Sequence, residues 1–303
     1  MKKVIVIMLC ALLLVSVYAC GSDENGGADN YSGETTLPNI LASLRSRGMT
    51  SWWDILAVYN AGHNPLDGNY GNFDEILDAL EAGESMTDRA AYVLVTNISV
   101  VIGADPEYFE EYENFKSILK ELLENPGENN LNDYIYAYLA LKTADVEFNE
   151  TPIRAFAEAA QLPDGGFAFW GEESDIDSTA MMIPALIIMG SDAARDRATA
   201  FLRNNMNEDG TFSSWGTANA NSTASALSAL TAAYGTDNET VQKARDGLSL
   251  FETGGGYSWE LGGERNDFAT SQGAVALGDL QNGTNAWLKL YHEWRHVFED
   301  LDY

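Results

Sequence analysis

Two kinds of hydrophobic segment alternate along most of the chain. The first kind is apolar nearly all round and begins with polar capping residues; its copies lie at residues 51–62, 87–101, 132–144, 177–186, 221–230 and 269–277. The second kind is amphipathic; its copies lie at residues 73–82, 115–124, 151–160, 193–205, 239–251 and 286–298. The first pattern is typical of a helix buried on both sides, and the second of an outer helix with one wet face. No segment alternates like a half-buried strand, so the chain is predicted to be all-α.

A short glycine turn recurs ahead of the inner segments. It reads DGGF at 164–167, DGTF at 209–212 and GGGY at 254–257, with a period of about 45 residues. Each copy is followed by a capped apolar helix, and weaker copies precede them in the N-terminal half. Six helix pairs of this length predict one domain over residues 37–303, an (α/α)6 toroid of six helical hairpins with inner and outer helix rings.

The repeats also carry a family resemblance. QLPDGGFAFWG at 161–171 resembles the QW-type repeat of squalene cyclases and protein prenyltransferases, whose domains are (α/α)6 toroids. DIDSTAMMIPAL, NSTASALSALTAAYG and DFATSQGAVAL are similar to bacterial secreted toroids related to the transcobalamin and intrinsic-factor barrel. The resemblance covers about residues 37–298. It implies the fold and makes a corrinoid-like or hydrophobic small molecule the expected ligand class, with cobalamin as one possibility. It does not decide the activity, because this fold hosts enzymes and binders alike.

The N-terminal residues are typical of a targeting segment. Two lysines, an apolar run over 4–17 and the small residue before Cys20 predict a signal peptide over 1–19. Val-Tyr-Ala-Cys at 17–20 resembles a bacterial lipobox, which implies cleavage before Cys20 and a diacylglycerol on its sulfur. The alternative is a plain signal peptide with an accidental cysteine. Residues 20–36 are rich in Gly, Asp and Asn and predict a flexible tether. We therefore expect a lipid-anchored protein on the extracytoplasmic side of the membrane.

Charge and cysteine content exclude several classes of protein. The 303 residues include 46 Asp and Glu against 17 Lys and Arg, a formal net charge of −29. Such an excess argues against nucleic acid as a partner, because a phosphate backbone requires a basic face. Two cysteines cannot form a disulfide framework or a four-cysteine zinc site. We expect no metal and no obligatory cofactor.

The candidate site follows from the ring, because all inner helices of a toroid point their N-termini toward one mouth. Aromatic walls with a few converging polar groups describe a small-molecule site. The predicted ligand-binding residues are Asp133, Trp170, Asp175, Asp177, Trp215, Asn221, Tyr257, Trp259, Thr270 and Gln272. The alternative is structural, since Asp, Asn, Ser and Thr are good helix caps and the aromatic residues recur as repeat packing. The expected partner is a small molecule, or another protein at the surface.

Asp177 raises an enzymatic alternative. Asp-Ile-Asp-Ser-Thr-Ala at 175–180 resembles the Asp-x-Asp-Asp-Thr-Ala motif of class II terpene cyclases, and Asp177 takes the place of the middle acid. In that family this acid protonates an alkene, which requires an unusually strong carboxylic acid. The third acid of the motif is Ser178 here. Prenyl transfer is excluded, since it needs a zinc-bound cysteine and the toroid contains none. Glycosidase chemistry would need a carboxylate pair, and Glu172 with Asp175 or Asp177 carries no distinguishing spacing.

A second motif lies in the last amphipathic segment. His292-Glu293-Trp294-Arg295-His296 matches H-E-x-x-H, which on a helix places two zinc ligands and a general base on one face. A charged residue lies between the ligands, and residues 299 and 302 lack the Gly and His of the extended zincin pattern. The segment is predicted to be an outer surface helix and zinc proteolysis to be the least favoured function. We expect ligand binding rather than turnover.

Overall fold

The computed structural model describes residues 35–127, 129–214 and 216–299. The predicted signal peptide over 1–19, the lipidation site Cys20 and nearly all of the tether lie outside these residues, as does Trp215. Within the described part of the chain, every helix is too short or too polar to cross a membrane.

Six helices of the described residues form a closed inner ring. They are α2 (Trp52–Asn60), α4 (Met86–Val101), α6 (Leu131–Thr143), α8 (Ile176–Met189), α10 (Ala220–Tyr234) and α12 (Asp267–Asn282). Each packs against the next along the chain, and α12 packs against α2 to complete the circle. All begin at the same end of the ring, because an outer helix returns the chain between one inner helix and the next. The predicted all-α (α/α)6 toroid is confirmed.

The outer ring, in the part of the chain that the structure describes, also has six helices. They are α1 (Leu37–Arg47), α3 (Phe73–Glu81), α5 (Tyr112–Glu124), α7 (Thr151–Ala160), α9 (Asp192–Asn204) and α11 (Glu239–Ser249). Helix α1 was not predicted; it packs against α12 and takes the sixth outer position. Thr36 caps α1 by accepting a hydrogen bond from the backbone of Asn39 at 3.4 Å. The ring is therefore closed by a helix from the start of the domain rather than from its end.

The last helix, α13 (Ala286–Glu299), occupies a different place from the predicted one. It contacts α2, α4, α6, α8 and α12, so it lies against the inside of the ring where the inner helices end. Trp287, Leu290 and Trp294 are buried, as an amphipathic helix requires. An apolar stripe on a helix shows that one face is covered but not what covers it. The apolar face of α13 is covered by the inner helices that surround the lumen, and not by the outer surface of the ring.

The recurring turns are held by a repeated hydrogen bond. A buried threonine in the first turn of α8, α10 and α12 accepts from the backbone N–H of the buried aromatic residue in the turn before it. The pairs are Thr179 with Phe167 at 2.9 Å, Thr223 with Phe212 at 3.0 Å and Thr270 with Tyr257 at 3.0 Å. Two of the turns contain antiparallel pairs of two-residue strands, β1 (Ser213–Ser214) with β2 (Thr217–Ala218) and β3 (Glu252–Thr253) with β4 (Gly256–Tyr257). The periodic motif thus builds the wall of the ring.

Candidate functional site

The second residue of each inner helix marks the mouth of the ring. In chain order these residues are Trp53, Thr87, Asn132, Asp177, Asn221 and Phe268. The four polar ones follow one another around the ring from α4 to α10, and we call them the polar arc. The two aromatic ones, on α12 and α2, contact each other with ring centroids 6.3 Å apart. The mouth is therefore polar along one side and aromatic on the other.

Two hydrogen bonds hold one carboxylate oxygen of Asp177, and the other oxygen remains available to a ligand. Its Oδ2 accepts hydrogen bonds from Ser214 Oγ at 3.1 Å and from Ser222 Oγ at 3.0 Å. Its Oδ1 has no hydrogen-bond partner among the described residues, and the side chain is half-buried. Burial, and then the charge of Asp175, raise the pKa of Asp177 to about 6. Asp177 therefore offers a fixed acceptor that changes its charge in mildly acidic solution.

Two asparagines beside Asp177 present further acceptors. Asn221 Nδ2 donates to Gln272 Oε1 at 2.7 Å, which fixes the amide. The Oδ1 atoms of Asn221 and Asn132 are buried and have no partner within the described residues. Buried amide oxygens are nearly always hydrogen-bonded in proteins, so a donor from a water or a ligand is the expected partner of each. Asp177 thus lies between two acceptors at equivalent helix positions.

A pocket extends from the mouth into the ring, and we call it the luminal pocket. Small side chains of α8 and α10, such as Ala180 and Ser225, leave the space, and Gln272 connects it to the polar arc. Its floor is Asn285 with Trp287 of α13. The space that admits the centre of a water-sized sphere is about 20 Å³, which is room for a water or for one small group of a ligand. A corrin-sized ring system is too large to enter it whole.

Aromatic side chains fill the opposite half of the lumen. Trp52 stacks on Trp53 with ring centroids 4.5 Å apart and meets the edge of Tyr136 at 5.7 Å. Helices α2 and α6 are separated in the ring by α4, so the contact of Trp52 with Tyr136 crosses the lumen. Trp287 lies 6.0 Å from Trp52 and 6.2 Å from Trp53. This cluster was not predicted, although the Trp-Trp pair at the start of an inner helix was a signal for it.

Three of the predicted residues lie at the mouth end of the ring. Trp170 is 57% exposed, in the turn before α8, and Trp259 is 43% exposed, with its carbonyl accepting from the first backbone N–H of α10. Asp133 is buried beneath the polar arc and accepts from Thr87 Oγ1 at 3.0 Å and Asn130 Nδ2 at 2.7 Å. Burial raises the pKa of Asp133. The two tryptophans give the mouth an exposed apolar rim.

Three other predicted residues have structural places instead. Tyr257 and Thr270 are buried in the third repeat turn and bonded to each other, so neither lines the mouth. Asp175 caps α8, because Oδ1 accepts from the Ser178 backbone and Oδ2 from the Phe169 backbone, both at 2.7 Å. Burial raises the pKa of Asp175. The capping and packing alternatives hold for these three positions, since the repeat needs them to connect turn and helix.

The motif at 292–296 lies at the other end of the ring. His292 and His296 are exposed, and Glu293 accepts from Tyr59 Oη at 2.5 Å. Lys289 lies 3.5 Å from a Glu293 oxygen as well. In the described parts of the chain, His, Cys, Asp and Glu side chains form no group of three placed to hold a metal ion. Glu293 thus anchors α13 to the ring.

The comparisons with known proteins support the fold. The chain matches no protein-family profile and no curated protein. Among solved structures it is similar to the type II terpene cyclase MstE from Scytonema, an aspartate-to-alanine variant in complex with its product merosterolic acid A, with a TM-score of 0.55, 9% identity and coverage of 82% of this chain and 96% of that one. It is also similar to haptocorrin in complex with Cbi, with a TM-score of 0.52, 15% identity and coverage of 84% and 70%. Likeness at these identities shows the toroid alone.

Proposed function

We propose that the protein binds a small, partly apolar molecule at the mouth of the toroid, with one group of that molecule in the luminal pocket. The observation that carries this proposal is the convergence of three unpartnered acceptors, on Asn132, Asp177 and Asn221, beside an aromatic wall. Exposed apolar residues at the rim of a strongly acidic protein are also typical of a binding surface. The haptocorrin–Cbi complex adds support by analogy of fold.

The size of the ligand determines whether it rests on the rim or reaches into the luminal pocket. A corrinoid or another large ring system would rest on the rim formed by Trp170, Trp259 and Phe268, since the pocket has room only for a substituent. A smaller hydrophobic molecule would lie at the mouth with one small group in the pocket above Trp287. Both arrangements use the same polar arc.

A reaction like that of a class II terpene cyclase is the second candidate. It is favoured by the place of Asp177 near Tyr136 of the luminal aromatic cluster, because burial and then the negative charge of Asp177 raise the pKa of Tyr136. Alkene protonation requires a strong acid, however, and burial makes Asp177 a weaker one. Binding therefore ranks first. Incubation with linear polyprenyl substrates tests the alternative, because a cyclised product formed by the native protein and lost in Asp177→Asn would establish it.

The location of the protein belongs to the same proposal. The N-terminal residues support secretion, cleavage before Cys20 and a lipid anchor on the extracytoplasmic face. The tether over 20–36 would hold the toroid away from the membrane. Mass spectrometry of the mature N-terminus tests this, and Cys20→Ala is expected to release the protein from the membrane fraction. A mature protein that begins elsewhere would refute it.

Binding is tested with a neutral fluorescent probe, N-phenyl-1-naphthylamine. The protein is expected to increase its emission, and Ser225→Phe is expected to abolish the increase by filling the luminal pocket. The matched control is Ser249→Phe, which adds the same side chain to an exposed position on α11. Cobalamin and Cbi are tested in parallel by their absorbance after desalting. Equal probe emission from both variants would refute the luminal pocket as the site.

A further inference from the structure

The groups that surround the luminal pocket are hydrogen-bond acceptors and aromatic faces. Asp177 lies one helical turn above Ala180 and Met181, which line the pocket on α8, because residues three and four apart share a helix face. Asn221 lies in the same way one turn above Ser225 on α10. The available oxygens of the arc therefore lie directly above the pocket.

The opposite wall presents aromatic rings. Trp53 and Trp287 line the pocket and lie with ring centroids 6.2 Å apart. The faces of aromatic rings carry partial negative charge and attract cations, tryptophan most strongly. Both sides of the pocket thus favour positive charge.

No basic side chain within the described residues lines this pocket. Lys289 and Arg295 lie on α13 and are engaged elsewhere, Lys289 over the ring of Tyr59 at 3.7 Å and Arg295 with Asp145 at 2.5 Å. At the mouth end of the ring, Arg265 donates to Ser43 of α1 at 2.9 Å. Also at this end, Arg47 pairs with Asp54 at 3.4 Å and with Asp267 at 3.6 Å, and Arg89 lies over the ring of Phe115 at 5.9 Å. These cations have partners other than Asp177, in a chain with a net charge of −29.

We infer that the ligand class of this site is an organic cation, a compact methylated ammonium or a similar group. The positive group enters the pocket below Asp177 and faces the indole rings of Trp53 and Trp287, while any attached polar or apolar part extends toward the rim. The inference rests on the proposed function and narrows it, since a neutral ligand would leave the Asp177 charge unpaired in a half-buried place.

The test compares two molecules of the same shape. Choline carries a trimethylammonium group, and 3,3-dimethyl-1-butanol replaces its nitrogen by carbon and so has no charge. Each is titrated against the complex with N-phenyl-1-naphthylamine at pH 7.5. Choline is expected to displace the probe at a concentration at least about tenfold lower, because a desolvated cation–aromatic contact and an ion pair act on it alone.

Two variants locate the effect. Asp177→Asn is expected to bring the two molecules within about twofold of each other. Asp267→Asn removes the same charge from the same end of the ring, but from an exposed position at the start of α12, and is expected to keep the preference. Circular dichroism and the unfolding midpoint show whether each variant is folded.

Each outcome of these titrations either supports or overturns the cation inference. Preference for choline that disappears in Asp177→Asn supports the inference. Equal displacement by both molecules, or displacement by neither from a probe-bound protein, overturns the cation inference and leaves the binding proposal intact. A native protein that binds no probe overturns both. If Asp177→Asn does not fold, the comparison of the two molecules on native protein still decides, since equal affinity alone is sufficient to refute the inference.

Discussion

The indole rings of Trp52 and Trp287 lie 6.0 Å apart inside the ring, so the first inner helix and the last helix of the domain meet in its lumen. This contact makes α13 part of the core and turns its first residues into the floor of the luminal pocket. The C-terminal helix thus sets the depth of the site, while the inner helix N-termini set its chemistry.

Replacement of Trp287 by alanine tests this arrangement. The side chain is buried, and deletion of a buried tryptophan costs about 3–5 kcal/mol of unfolding free energy. We expect that loss in urea denaturation, together with a changed affinity for N-phenyl-1-naphthylamine because the pocket loses its floor. Trp259→Ala is the control, since its side chain is 43% exposed and its loss should cost under about 1 kcal/mol. Equal losses in the two variants would contradict the place of α13.

A second prediction concerns Asp279, which is fully buried where α12 and α10 meet the start of α13. It accepts hydrogen bonds from Asn60 Nδ2 at 2.8 Å and from the Ser228 hydroxyl, and burial raises its pKa from 3.8 to about 7. The folded chain therefore keeps a proton that the unfolded chain releases above pH 4. Stability should fall as pH rises from 4 to 7, by at most about 1.4 kcal/mol per pH unit from this group.

Urea unfolding of Asp279→Asn from pH 4 to pH 8 checks the sign. The amide resembles the protonated acid, so the variant should lose less stability than the native protein as pH rises. Asp246→Asn, an exposed change of the same kind, should leave the native slope unaltered. A variant curve parallel to the native one would show that Asp279 does not titrate in this range.

The wall of the ring was largely predictable from the sequence, and the lumen was not. The outer helix over Thr151–Ala160 has the predicted bounds, because its apolar stripe has a clear helical period and its ends are marked by polar residues. The helix that begins at Leu37 was overlooked although a Thr-Leu-Pro start and helical apolar spacing indicate it. Which face of an all-apolar inner helix lines a lumen depends on ring closure. Apolar spacing alone therefore does not place Trp52 in the lumen.

The turn at Gly210 gives a third prediction. Its φ is +88°, and a Cβ added there would lie 2.1 Å from the Lys243 carbonyl oxygen. Gly210→Ala should therefore lose more stability than Gly190→Ala, which has a similar φ of +68° in the left-handed region and open space around the added carbon. The difference between the two midpoints isolates the steric contact from the cost of the left-handed backbone, about 1 kcal/mol for alanine. Equal losses would mean that the turn does not press against α11.

Protonation of Asp177 should make ligand binding depend on pH, and the groups around Asp177 determine the direction of that dependence. Burial raises the pKa of Asp177 most, and the charge of Asp175, which caps the same helix, raises it further. Helix α6 contributes the neutral Tyr136, and Ser214 and Ser222 donate hydrogen bonds to Asp177. No basic group of the described residues contributes to the pKa of Asp177. With a pKa of about 6, the side chain is mostly charged at neutral pH and mostly neutral at pH 5.

Binding of choline should therefore weaken as pH falls through 6, by at most about tenfold per pH unit, because protonation removes the carboxylate that pairs with the cation. Binding of 3,3-dimethyl-1-butanol should change little over the same range, since it carries no charge. Asp177→Asn should flatten the choline profile, because the amide does not titrate. Isothermal titration calorimetry from pH 5 to pH 8 measures all three curves. A choline affinity that rises toward pH 5, or a slope unchanged in Asp177→Asn, would place the pH-sensitive group elsewhere in the mouth.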